Sequence, residues 1–147
     1  MALRSKVFTY GAELTWQGGH TAVVASGDRP PLPVAPPPDF PGGEDDRWSP
    51  EHIFLAALES CTMLSFLAHC AHNDLEVREY SARATGSIER RDDDQRYAFT
   101  QVKVVVHARM APGHAAAACE LTDKAERDCF ITASTNADIE NDWRILE

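Results

Sequence analysis

Basic residues are scarce in this chain. Lysine and arginine number 14 against 23 aspartates and glutamates, a net charge of −9 at neutral pH. Non-specific binding to nucleic acid or to anionic membrane needs a basic surface, so neither partner is expected, while a small neutral substrate stays open. No Cys-x-x-Cys pair occurs among the four cysteines, Cys61, Cys70, Cys119 and Cys129. That excludes a zinc ribbon and a thioredoxin-type motif, and no bound metal or cofactor is expected. The opening MALRSKVFTYGAEL has neither an apolar core of signal-peptide length nor a small-residue cleavage site. The longest apolar stretch, Ile53 to Ala68, is interrupted by Glu59, Ser60, Thr62 and Ser65 and reads as too short and too polar to span a bilayer. The expectation is a cytoplasmic protein without a structural disulfide framework. Its cysteines are then either small core hydrophobes or reactive thiols.

What is present fits one globular domain over residues 1–147, with 44% apolar and 25% charged residues. Residues 5–16 (SKVFTYGAELTW) alternate as a strand, QGG at 17–19 turns, and HTAVVAS at 20–26 reads as the return strand. The segment 29–47 holds seven of the nine prolines. It predicts an extended loop with at most a short edge strand at Leu32–Val34, since proline cannot donate to a sheet ladder. Ser49 then suits an N-cap and Pro50 the first helical position. Apolar residues at 53, 54, 57, 58, 61, 64, 67, 68 and 71 predict a long helix with that face buried, ending near His72 to Asp74.

Residues 76–110 predict a long hairpin turning at DDDQ (92–95), with Tyr80, Ala82, Ala84 and Gly86 on one face and Val102, Val104 and Val106 on another. The alanine-rich 115–128 predicts a second helix, and ADIENDWRILE a last strand. Strands that come in hairpins point to an α+β fold of antiparallel sheets with a long central helix and a second helix.

Two cysteines stand out. Cys61 is in phase with the apolar face of the long helix, and taken alone it reads as packing. Cys129 follows the second helix and precedes a compact FITAS segment, a place that can present one sulfur to another. Spacing alone decides neither case.

The phrase WSPEHIFLAALESC (48–61) resembles the signature of the OsmC/Ohr family, the osmotically induced and organic-hydroperoxide-resistance proteins: Asn/Ser-Pro-Glu at a helix start, then a cysteine ten residues after the glutamate, as from Glu51 to Cys61 here. AERDCFITAS (125–134) is similar to the family's second-cysteine phrase, and the order of elements agrees. The resemblance implies an intertwined homodimer and a thiol-dependent peroxidase for organic hydroperoxides. Cys61 would become a sulfenic acid and Cys129 would resolve it to a disulfide. An external dithiol reductant would restore the pair, and Glu51 would orient an arginine that stabilises the thiolate. Ten residues of helix separate Glu51 from Cys61 by about 15 Å, so a site using both takes Glu51 from a second chain.

The activating cation is left open among three residues. Where one branch of the family carries an arginine after a glycine pair, QGGH places His20; another branch uses an arginine before the long helix, where Arg29 and Arg47 lie. Trp16 and Trp48 are expected to wall a pocket or join the core, His69 and His72 to be surface residues at a helix end, and Cys119 to be packed. The alternative reading is a protein of the same fold without peroxidase activity, binding a small apolar or electrophilic ligand.

Overall fold

A glycine pair makes the first turn. In the computed structural model, which describes residues 5–147, β1 (Glu13–Gly18) reverses through Gly18 and Gly19 at φ of 100° and 54°, where a side chain is disfavoured, into β2 (Thr21–Ala25). The first four residues of the expected domain, and of the segment read as lacking a signal sequence, lie outside the described residues. β3 (Leu32–Val34) pairs antiparallel with β2, so the expected short edge strand forms at its expected residues. The strand expected from Ser5 begins only at Glu13. Val7, Phe8 and Tyr10 do alternate, but they are 86%, 66% and 84% exposed, and this sheet ends at β1. Alternation suits a strand; a ladder partner is needed to make one.

The proline-rich segment is folded, not extended. Phe40 N–H bonds to Pro37 C=O and Gly43 N–H to Phe40 C=O, two turns in succession. Gly43 comes so close to the chain that a β carbon there would lie 2.1 Å from the Pro37 oxygen. The helix α1 (Pro50–His72) starts as expected: Ser49, 1% exposed, accepts the His52 N–H at 3.2 Å. Residues up to Ile53 form one compact unit and residues 54–147 a second.

In the second unit α1 continues over a three-stranded sheet of β4 (Val77–Arg90), β5 (Tyr97–Met110) and β6 (Asp138–Leu146), in the order β4-β5-β6. The hairpin and its alternation agree with expectation: Val102, Val104 and Val106 are buried. β6, however, runs parallel to β5, from Gln101↔Asp138 to Arg109↔Leu146, so this sheet is mixed. The helical segment between β5 and β6 is a crossover, and a crossover is what parallel pairing requires.

That segment is three short helices, α2 (Ala115–Cys119), α3 (Thr122–Arg127) and α4 (Phe130–Ala133), where one helix was expected. Glu120 and Leu121 have ψ near −10°, and Leu121 N–H reaches the carbonyl three residues back. The Thr122 hydroxyl donates to the Cys119 carbonyl at 3.0 Å, so a tight turn replaces helical continuation.

The face of α1 also differs from expectation. Its buried residues are Leu58, Thr62, Phe66 and Cys70, whereas Leu64 is 61% exposed. The helix is apolar on nearly every side, so periodicity cannot choose a face; the sheet does. Leu58 packs with Val102, Val104, Val106 and Cys129, and Phe66 and Cys70 with Ala108, Met110, Ala118, Leu121 and Ala125. By length and composition α1, with mean hydropathy 1.6 in its most apolar window, is long and apolar enough to cross a membrane. The expectation that it is too short and too polar fails on that count, although in this fold it packs on a sheet.

Candidate functional site

Cys61 lies half-buried on α1 and opens onto a cavity of about 580 Å³. Leu64, Ala68 and Phe130 give the cavity its apolar lining, and His69 and Asp128 are also on its wall. Leu64 and Phe130 are 61% and 70% exposed, so the cavity is open to solvent.

Cys129 is behind it and fully buried. It occupies the link between α3 and α4 in an extended conformation, and its Sγ accepts the Thr132 N–H at 3.5 Å. The Thr62 hydroxyl, also fully buried, lies 3.0 Å from the Leu58 carbonyl and 3.5 Å from the Cys129 sulfur. The Thr132 hydroxyl is buried beside the same sulfur without a formed hydrogen bond of its own. Both cysteines are free thiols, and they adjoin closely enough for each to bias the other's ionisation.

The bias has a direction. Burial lifts the Cys61 thiol above its ordinary value; the Ile131 and Phe130 N–H groups oppose this, and Cys129 adds to it. Burial alone would lift Cys129 too. The Thr132 and Thr62 hydroxyls beside it, the Thr132 N–H and the Cys61 thiol outweigh it, so Cys129 falls below the ordinary value. Within one chain the proton is held at Cys61 and the negative charge is best accommodated at Cys129. No cation of the second unit figures among the groups acting on Cys61.

His69 is not a free surface residue. Its Nε2 lies 2.8 Å from Asp128 Oδ2, and Asp128 also receives Arg127. Arg127 first and His69 second hold the Asp128 carboxyl down at about 2. Among the described residues no cluster of histidine, cysteine and carboxylate has the makings of a metal site. Cys119 is exposed, not packed. Trp16 and Trp48 are 71% and 47% exposed and belong to no core.

The remaining expected site residues are in the first unit. His20 and Glu51 meet on one cavity of about 390 Å³ walled by Val34, Pro36, Pro37 and Phe40. Gly42 closes against His20, where a β carbon would be 2.3 Å from Nδ1. One carboxylate oxygen of Glu51 is buried without a partner. Arg47 pairs with Glu44 at 2.7 Å through Nε, and its Nη1 is buried without a partner. Arg29 is an exposed turn residue that donates to the Ser26 carbonyl at 3.2 Å. Sequence reasoning passed over Thr62 and Thr132. The available signal was a threonine inside an apolar helical run, because a buried hydroxyl needs a partner.

The sequence profile of the family described as OsmC-like protein matches residues 43–144 of this chain. The chain belongs to the OsmC-like family. Its profile covers both cysteines, Glu51 and Arg47, and leaves His20 and Arg29 outside. Among solved structures, an OsmC-like protein of unknown function from Vibrio cholerae is similar over 93% of this chain and 99% of its own, at 19% identity and TM-score 0.84. An organic hydroperoxide resistance protein from Elizabethkingia anophelis aligns over 97% and 98% of the two chains, at 22% identity and TM-score 0.71. The organic hydroperoxide resistance protein OhrB of Bacillus subtilis aligns over 92% and 98%, at 16% identity and TM-score 0.60. No curated protein matches in sequence. At these identities the structures establish the OsmC-like α+β fold.

Proposed function

We propose that this OsmC-like protein is a thiol-dependent peroxidase that reduces organic hydroperoxides. The observation that carries the reading is the adjoining pair of free thiols, one at an open apolar cavity and one buried behind it. The Cys61 thiolate attacks the terminal peroxide oxygen. A sulfur–oxygen bond forms, the oxygen–oxygen bond breaks, and the alkoxide leaves as an alcohol after taking a proton. Cys129 then attacks the Cys61 sulfur, a disulfide forms, and hydroxide leaves as water once protonated. An external dithiol, oxidised in turn, returns both thiols, so no bound cofactor is required. The apolar lining of the Cys61 cavity favours an organic peroxide over hydrogen peroxide. A reducing compartment, the cytoplasm, suits the cycle.

The reading includes a homodimer. Val7, Phe8, Tyr10, Leu14 and Trp16 expose large apolar surface in the first unit, as Leu64 and Phe130 do in the second. Large exposed apolar side chains in both units suit burial against a second copy of the chain. Glu51 of the partner subunit, with one of the candidate cations His20, Arg47 or Arg29, would then supply the positive environment that Cys61 lacks within its own unit.

The test is hydroperoxide consumption with a small dithiol, comparing the wild type with Cys61→Ser. Catalytic loss of cumene hydroperoxide that Cys61→Ser abolishes is expected; equal rates in both proteins would overturn the reading. The raised Cys61 thiol favours one rival, a non-enzymatic member that holds a small apolar or electrophilic ligand in the same cavity. Ligand binding without turnover would select it.

A further inference from the structure

The peroxidase cycle has a weak point. A sulfenic acid at an open cavity can meet a second peroxide before it is resolved, and the resulting sulfinic acid is a dead end for an enzyme of this kind. Escape depends on how quickly the resolving sulfur attacks, and only the thiolate attacks well. A fully buried sulfur such as Cys129 is badly placed to ionise unless donors are aimed at it.

The second unit supplies such donors. Thr62 is a buried hydroxyl in the middle of an apolar helix face, with two acceptors in reach: the Leu58 carbonyl at 3.0 Å and the Cys129 sulfur at 3.5 Å. It carries one proton, so it serves one at a time. Turning from the carbonyl to the sulfur leaves nothing unsatisfied, because the Leu58 carbonyl keeps the backbone N–H of its own helix. Thr132 adds a backbone N–H at 3.5 Å and a buried hydroxyl with no competing partner. An unpartnered buried hydroxyl costs stability, and here it faces the one sulfur whose charge it could satisfy.

We propose that Thr62 and Thr132 are positioning residues that hold the Cys129 sulfur in its anionic form, Thr62 by rotating its hydroxyl from the Leu58 carbonyl, so that the disulfide closes before the Cys61 sulfenic acid is oxidised further. The inference rests on the peroxidase reading. The lowered Cys129 thiol agrees with it. The charged residues just before Cys129 in the chain, Arg127 and Asp128, are paired with each other, and His69 is paired with Asp128.

The resolving step balances without a further reagent. The Cys129 thiolate gives its electron pair to the Cys61 sulfur, the Cys61 sulfur–oxygen bond breaks, and the departing hydroxide takes a proton from solvent. The Thr62 hydroxyl turns back to Leu58 when the sulfur loses its charge.

Thr62→Val keeps the shape and removes the donor; Thr62→Ser keeps the donor. The full-length protein is treated with limiting cumene hydroperoxide, and Cys61 sulfenic acid, disulfide and sulfinic acid are followed by quenched mass spectrometry at several pH values. Expected is disulfide closure slowed about tenfold to a hundredfold in Thr62→Val, the ordinary weight of a hydrogen bond to a charged group. Sulfinic acid accumulates, sulfenic acid formation does not slow, and Thr62→Ser closes normally. Closure in Thr62→Val should regain speed only as pH rises above about 8.5, the ordinary thiol value, because burial lifts an unassisted Cys129 beyond it. A merely structural role would not produce that pH dependence.

Closure in Thr62→Val at the wild-type rate and pH profile overturns the inference. If Thr62→Val fails to fold, Thr132→Val is measured in its place, and an unchanged profile there counts equally against it. Dimedone trapping in Cys129→Ser separates the two levels. If Cys61 traps but the threonines make no difference, only this inference falls; if Cys61 never forms a trappable sulfenic acid, the peroxidase reading falls and takes it along.

Discussion

Gly86 on β4 lies against the ring of Phe99 on β5 so closely that a β carbon at position 86 would be 2.7 Å from Cε1 and 2.8 Å from Cδ1. Phe99 stacks in turn on Phe54 of α1, with ring centroids 4.7 Å apart and planes 21° from parallel. The missing side chain leaves room for an aromatic pair that joins helix to sheet seven residues before Cys61. Leu55 Cδ2, at 3.0 Å, closes the same space.

Gly86→Val should therefore destabilise the protein by about 1–3 kcal/mol, the usual cost of overfilling a packed site. The gain in strand propensity from valine is smaller and opposes it. Urea unfolding of the reduced protein measures the sum. Unchanged stability would mean that Phe99 moves aside freely and that the stack fastens nothing.

How much of this was legible in the sequence depends on whether the pattern had a competitor. The β4–β5 hairpin was legible because Tyr80, Ala82, Ala84 and Gly86 alternate with Ser81, Arg83 and Thr85, and one register satisfies both faces. The Ser49 cap and the Leu32–Val34 edge strand were legible for equally local reasons. The buried face of α1 was not: with Cys61, Leu64, Phe66 and Leu67 apolar around the axis, the sheet decides, and it took Phe66 and left Leu64 outside. Residues 5–12 carry a strand pattern with no partner strand in the sheet of β1. Of the candidate site, the two cysteines were legible through their flanking phrases. The Thr62 and Thr132 donors were not, since they converge on Cys129 only once α4 folds back on α1.

Cys70 offers a prediction at alkaline pH. It is 1% exposed, and burial pushes its thiol up to about 11. A folded-state value above the unfolded one means that the folded protein holds the proton more tightly. The stability from a neutral Cys70 is then complete below about pH 9 and lost as pH climbs toward 11. Urea midpoints at pH 8, 9.5 and 10.5 in reducing buffer should fall, with Cys70 contributing roughly 2 kcal/mol across the range. In Cys70→Ala the decline should be shallower by that amount. An identical decline in both proteins would assign the alkaline loss to other groups, such as Tyr80, whose hydroxyl burial also raises.

The activating group lends itself to complementation. If Cys61 is served by Glu51 of the partner subunit, a Cys61→Ser chain and a Glu51→Gln chain are each inactive, yet a mixed dimer holds one complete site. Refolding the two together at equal amounts should restore about a quarter of wild-type activity, since half the dimers are mixed and each has one working site of two. No restoration would confine the site to a single chain. The cation itself is read from pH. Arginine stays charged throughout, so with Arg47 or Arg29 the rate rises with the Cys61 thiolate and levels off. An imidazole, unlike a guanidinium, gives up its charge as pH rises, so a requirement for a protonated histidine in this place makes the profile a bell. His20 shares its cavity with Glu51 and Arg47 has a buried nitrogen without a partner, whereas Arg29 lies in an exposed turn and donates to the Ser26 carbonyl. His20→Ala or Arg47→Ala should accordingly raise the Cys61 pKa measured by thiol alkylation, and Arg29→Ala should not. A rise in Arg29→Ala alone would mean that this arginine leaves its turn in the active protein.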